Sequence, residues 1–239
     1  MSQPTLDTTN ETKPKLGRSG YLRIVQVAVF ILMLGILLFL PAGRPDWPEA
    51  WIFLLGFALA IVVGGIWSTR NNPDLINERG RVAENTKWWD KVLLTLYTLS
   101  FFALMVTAGL DARFRSSSVP VVVKIVGGIG LLLTFGLVFW VAKTNAYASA
   151  VVRIQDDRGQ QVVTDGPYRY VRHPMYAGMF FFGCISLLLG SWWALIPAGV
   201  MIIIFVIRTA LEDKTLIAEL PGYAEYAQRV RYRLIPGIW

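Results

Sequence analysis

Four stretches of the chain, 24–43, 50–69, 92–110 and 125–142, contain no Asp, Glu, Lys or Arg and are apolar almost throughout. A helix rises about 1.5 Å per residue, so roughly 20 such residues cross the ~30 Å hydrocarbon core of a bilayer. Each stretch therefore predicts one membrane span. A fifth charge-free run, 173–207, is too long for one crossing, because as a single helix it would extend about 50 Å. Gly190 and Ser191 interrupt it and Pro197 follows. The pattern predicts two shorter helices, 177–189 and 192–211, joined by a tight turn as a hairpin. The expected fold is thus an all-α integral membrane protein of about six transmembrane helices, the last two forming that hairpin.

The polar residues between the spans divide unevenly. If the N-terminus faces the cytoplasm, the inner segments hold 19 Lys and Arg residues and the outer loops only four, Arg44, Arg113, Arg115 and Lys124. This positive-inside bias puts both termini on the cytoplasmic side. Trp47, Trp51, Trp88, Trp89, Trp192 and Trp193 all fall at span ends, as interfacial aromatics do. Residues 1–20 are rich in Ser, Thr, Asn, Lys and Pro and are expected to be disordered. Residues 21–142 then carry four spans, and 143–239 carry the hairpin and a polar tail.

Composition agrees and narrows the function. The chain is 54% hydrophobic and 16% charged, against about 25% charged in soluble domains. Its net charge of +7 reads as topology and contact with anionic headgroups, with no nucleic acid implied. The single cysteine, Cys184, lies in an apolar run and rules out an internal disulfide. One histidine and one cysteine leave no His/Cys zinc site, and no metal is expected. Ionisable groups are nearly absent from the spans, and no internal repeat is evident. Both features argue against a pump or ion carrier.

The chemistry-bearing residues collect beside the hairpin. The loop 70–91 carries Trp88 and Trp89 and reads as an interfacial loop or as a wall for a lipid-like substrate. In 153–178, Asp156, Asp157, Arg158 and Gly159 predict a turn, 160–164 a short strand, and Asp165-Gly166-Pro167 a second turn. Tyr168, Arg169, Tyr170, Arg172, His173 and Tyr176 follow closely. Pro174 is placed to begin a helix, where its missing N–H costs nothing, and the free N–H groups there suit a carboxylate or phosphate. His173 reads equally as a headgroup-level helix cap. Arg208 and Glu212, with Asp213 beside them, share one helix face at i, i+4. They form either an intrahelical ion pair or part of a site. The tail 219–239 is amphipathic, aromatic and basic, as a cap lying on a membrane surface is.

Taken together, TDGPYRYVRHPMYAG at 164–178, RTALED at 208–213 and PGYAEYAQRVRYRLIP at 221–236 resemble the isoprenylcysteine carboxyl methyltransferase family. That family is related to the membrane phospholipid methyltransferases. The resemblance covers the C-terminal part of the chain, and it makes 143–239 a methyltransferase-like region. Its cytoplasmic cofactor pocket would be built from the 143–175 loop and the C-terminal tail. The family implies transfer of a methyl group from S-adenosylmethionine (SAM) to a lipophilic acceptor entering from the bilayer, without a Rossmann domain. Carried onto this chain, the resemblance assigns Gln160, Val163, Tyr168, Arg172, His173, Pro174, Met175, Tyr176 and Glu212 to the cofactor. Arg208 and Glu212 become the catalytic pair, with Arg208 facing the acceptor.

Two positions depart from the family pattern. Gln160 stands where prenylcysteine enzymes often carry His, and 212–213 is Glu-Asp in place of Glu-Glu. Glu212 can meet the ammonium of SAM, and His173 or a helix N-terminus its carboxylate. Tyr168 and Tyr176 can stack on adenine or face the sulfonium. A carboxylate acceptor such as prenylcysteine needs an arginine and no base, which favours an anionic acceptor. The alternatives are an NADPH-dependent membrane sterol-type reductase, whose motif usually continues with Asn-Tyr where this chain has Met175-Tyr176, and a non-enzymatic lipid-binding scaffold.

Overall fold

In this computed structural model, which describes residues 18–80, 86–179 and 182–239, every regular element is helical among the described residues. In chain order the α-helices are α1 (Arg18–Ala42), α2 (Pro48–Asn71), α3 (Pro73–Gly80), α4 (Trp88–Phe114), α5 (Val121–Thr144), α6 (Pro174–Met179), α7 (Phe182–Leu189), α8 (Leu195–Glu219) and α9 (Tyr223–Arg229), with short 3₁₀ helices at Asp156–Arg158 and Gly166–Arg169 between α5 and α6. The expected disorder of 1–20 falls almost wholly outside the described residues.

The first four spans lie where the charge-free runs put them, but their helices are longer. α4 runs past its apolar run at both ends and takes in Asp90 and Asp111, because both carboxylates are buried and hydrogen-bonded. Part of the 70–91 loop is helical as α3, whose Leu75 packs under Val141, Ala142 and Ala148; residues 81–85 of that loop lie outside the described residues.

The hairpin is asymmetric. Gly190 (φ 76°) and residues 191–194 make the turn. The returning arm, α8, begins at Leu195 and continues to Glu219, eight residues past the expected end. Among the described residues, five helices are long and apolar enough to cross a membrane: α1 from Ile24, α2, α4, α5 and α8. The other arm, α6 and α7, is shorter, so the expected sixth crossing is not a full-length span. The strand expected at 160–164 is not formed, and no ladder partner runs beside it among the described residues. Instead, the Gln160 N–H donates to the Gln155 carbonyl and the Gln160 Oε1 accepts from the Gln155 N–H.

Helices approach closely where glycine allows it, as is common in membrane bundles. A Cβ on Gly109 of α4 would lie 2.6 Å from the Leu38 carbonyl oxygen of α1. One on Gly127 of α5 would lie 2.6 Å from the Leu188 nitrogen of α7. Around these contacts Leu34, Leu38, Phe53, Leu104, Met105 and Met201 form the core. Apolar side chains such as Leu40, Leu59, Val122 and Leu132 are more than half exposed, as side chains solvated by lipid are. The result is an all-α integral membrane fold. Of the tryptophans expected at interfaces, Trp47 is instead buried, with its ring edge-on to Phe39.

Candidate cofactor cleft

Two buried acid–base assemblies build the end of the bundle where α5 stops and α8 emerges. The first joins α4 to α8. Asp90, fully buried, accepts from Arg208 through Nε at 2.6 Å and Nη2 at 3.2 Å, and from the Val152 N–H at 2.8 Å. Arg208 Nη2 also donates to the Ala150 carbonyl at 3.0 Å. Nearby, Lys87 bridges to Glu219 at 2.7 Å, tying the start of α4 to the end of α8.

The second assembly centres on Asp213, also fully buried. Its carboxylate accepts from Arg172 Nε (2.8 Å) and Nη2 (2.7 Å), from Arg233 Nε (2.8 Å) and from the Tyr223 hydroxyl (3.0 Å), while His173 Nε2 lies 3.2 Å away. Arg172 Nη1 donates to the carbonyls of Val230 and Arg231. The backbone N–H groups of Arg172 and His173 donate to the carbonyls of Tyr232 and Arg233. A forked guanidinium on a carboxylate is the strongest neutralisation available to a buried acid. These bonds fasten the tail to the RHP motif. Burial opposes charge on Arg172, but the Asp213 carboxylate outweighs it and raises the pKa.

Between these assemblies lies a cleft of about 100 Å³ that opens to solvent. Gln160, Val163, Tyr168, Arg172, His173, Pro174, Met175, Tyr176 and Glu212 all line it. Pro174 opens α6, which turns Met175 and Tyr176 inward. Glu212 is half-buried; its Oε2 accepts from the Tyr176 hydroxyl at 2.5 Å, and its Oε1 makes no hydrogen bond among the described residues. The Tyr168 hydroxyl accepts from Asn145 Nδ2 at 2.7 Å. Burial pushes the Tyr168 phenol up to about 12, the Glu212 charge adding to the shift. The Tyr223 phenol is raised further, by burial and then by the Asp213 charge. Neither phenol is a base near neutral pH.

Three expected roles meet a different local chemistry. Arg172 lines the cleft, but Asp213 and the tail carbonyls take up its guanidinium. His173 lines the cleft too, but its Nε2 is directed at Asp213 and Tyr223. Arg208 does not line the cleft; its guanidinium sits 5.0 Å from the Tyr176 ring centre, held by Asp90. It makes no ion pair with Glu212 among the described residues.

The sequence reading also passed over several liners, among them Asn145, Tyr147, Gln155 and Tyr226. The Tyr226 hydroxyl donates to the Tyr168 carbonyl and so locks the tail under the cleft floor. Asp90 had a usable signal: it is a lone acid at the start of one span, matched by a lone arginine near the end of another.

Known proteins match the same region. The family model for phospholipid methyltransferase matches residues 122–220, from α5 to the end of α8. The cobalt-zinc-cadmium resistance protein CzcN of Cupriavidus metallidurans is 33% identical over 103 residues, which cover 41% of this chain and 47% of that protein. The chain thus spans about half the length of this curated relative. The matched residues, 122–220, contain the motifs at 164–178 and 208–213.

Proposed function

We propose that the chain is a membrane methyltransferase that uses SAM and methylates a lipophilic acceptor reaching the cleft from the bilayer. One observation carries the cofactor assignment: Glu212 presents a carboxylate oxygen without a partner to a cleft walled by Tyr168, Tyr176, Val163 and Met175. That donor set suits a ligand with an ammonium, a sulfonium and an aromatic base. The carboxylate takes the ammonium, and the tyrosine rings offer faces to a cation or an adenine. SAM, when bound, supplies an electrophilic methyl group, so the protein's part is to position and to exclude water.

Each residue then has a task. Tyr176 orients Glu212 through its hydroxyl. Asn145 orients the Tyr168 ring, and Gln160 closes the 155–160 loop that forms one wall. Val152, Leu216 and Leu220 make the remaining wall apolar. Arg172 and His173 act through Asp213, holding the tail in place. Arg208 stands behind Tyr176 and is already neutralised by Asp90. With Arg208 already paired to Asp90 and set back from the cleft, the acceptor is assigned only as lipophilic. The metal resistance in the relative's name is not carried over. Less than half of that protein is matched, and no cluster of three His, Cys, Asp or Glu side chains suited to a metal ion occurs among the described residues.

The test is ligand-dependent stabilisation of the detergent-purified protein. S-adenosylhomocysteine raises the thermal midpoint and NADPH does not. Stabilisation by NADPH alone would move the assignment to a reductase, and stabilisation by neither ligand would leave a scaffold.

A further inference from the structure

At the opposite end of the bundle from the cleft, an open apolar groove of about 820 Å³ runs along α1 and is flanked by α2. Leu32, Gly35, Ile36 and Leu40 of α1 line it, with Trp51 and Leu54 of α2. Gly35 leaves the floor low, since a Cβ there would already touch Leu54 at 3.5 Å. The lining continues from Ala28 to Gly43, about 22 Å at the helical rise. That exceeds the ~15 Å of hydrocarbon in one leaflet, half of the ~30 Å core, and accommodates a full acyl chain.

The head of the groove is cationic. Arg44 lines it, and its Nε is buried without a hydrogen-bond partner among the described residues. The nearest carboxylate, on Asp46, lies 3.9 Å from that nitrogen. Arg113 of α4 points its guanidinium at the same place, Nη1 lying 3.6 Å from where a Cβ on Gly43 would sit. It makes no ion pair among the described residues, and its guanidinium carbon lies 5.9 Å from the centre of the Phe114 ring. The other acids at this end are engaged: Glu49 holds Lys124 at 2.6 Å, and Asp111 accepts from Ser117 and Ser191.

We infer that this groove is a binding site for one anionic phospholipid, its acyl chain along α1 between Leu32 and Leu40 and its phosphate between Arg44 and Arg113. The apolar lining alone would take any lipid. Arg113, which has no carboxylate partner among the described residues, and Arg44, whose contact with the exposed Asp46 is as long as 3.9 Å, select the headgroup, and a negatively charged phosphodiester fits between them. The bound lipid fastens α1 to α2 near the loop that joins them. This inference is independent of the methyl-transfer reading, and its readout does not involve turnover.

Native mass spectrometry of the full chain, released from detergent containing phosphatidylglycerol and phosphatidylcholine with matched acyl chains, tests it. The wild type retains one phosphatidylglycerol in preference. Arg44→Gln and Arg113→Gln each weaken that preference about fivefold, as a contribution of ~1 kcal/mol per basic residue at an anionic lipid surface corresponds to. The double variant retains both lipids alike. Equal retention by the wild type, or a preference undiminished in Arg44→Gln, the milder change because Arg44 lies in a surface loop, would overturn the assignment.

Discussion

Two carboxylates joined by a single peptide bond, Glu212 and Asp213, face two different environments at the end of α8. Asp213 is fully buried and meets two arginines, a tyrosine and a histidine, every one of them on the RHP motif or the tail. Glu212 is half-buried, meets one tyrosine and keeps an oxygen toward the cleft. Helical spacing accounts for the split, because adjacent residues on a helix point about 100° apart and look into different compartments. Asp213 looks into protein and organises it, while Glu212 looks into open space and can meet a ligand. The acid that looks strongest by its number of contacts is therefore the structural one. The acid that faces the cleft is the candidate for function.

The sharpest way to break that comparison is Asp213→Asn. It leaves the buried Arg172 and the partly exposed Arg233 against a neutral side chain, and breaking the buried Arg172 pair in this way costs about 3–5 kcal/mol. Denaturation in detergent should show that loss, together with early proteolysis of the tail. A stable, fully folded Asp213→Asn protein would mean that the tail is held by its backbone bonds alone. Arg208 and Asp90 extend the same logic to the other assembly. Each alanine substitution strands a buried charge, so the double variant Asp90→Ala/Arg208→Ala should be more stable than the sum of the single losses implies, by about 1–3 kcal/mol. Strict additivity would show that the pair is not coupled.

The smallest expected effect concerns the cleft wall. Tyr168 is held neutral, with its pKa raised from 10.0 to about 12. Between those values the unfolded chain loses this proton and the folded chain keeps it, so the folded state binds more protons and stability falls as pH rises. The contribution is whole below pH 10.0 and is lost as pH passes about 12. Tyr168→Phe should therefore flatten the fall in the unfolding midpoint across that window. An unchanged slope would assign the fall to the other buried phenols, Tyr223 and Tyr226.

The spans were readable in the sequence because lipid imposes a length and excludes charge, and those two rules act locally. The same rules read the α6–α7 arm as a crossing, although the arm is too short to qualify by itself. Charge exclusion places no lower bound on helix length when a segment is packed between neighbours, as α7 is against α5 at Gly127. At the cleft, the motifs carried the positions further than the roles. Gln160, Val163, Tyr168, the 172–176 stretch and Glu212 come together. The partners of Arg172 and Arg208, however, lie 41 and 118 residues away. No spacing rule reports whether a cation will meet a ligand or a buried acid, and only the folded chain distinguishes the two.

The central claim is that Glu212 holds the cofactor while Asp213 holds the fold. Calorimetric titration of S-adenosylhomocysteine into the detergent-purified wild type and into Glu212→Gln tests it most directly. The account predicts measurable binding by the wild type. It predicts affinity about 10- to 100-fold weaker for the variant, as the loss of a hydrogen bond to a charged group of about 1.5–3 kcal/mol implies, with the unfolding midpoint nearly unchanged. Equal affinity in the two proteins, or a Glu212→Gln variant that unfolds as readily as Asp213→Asn, would contradict it.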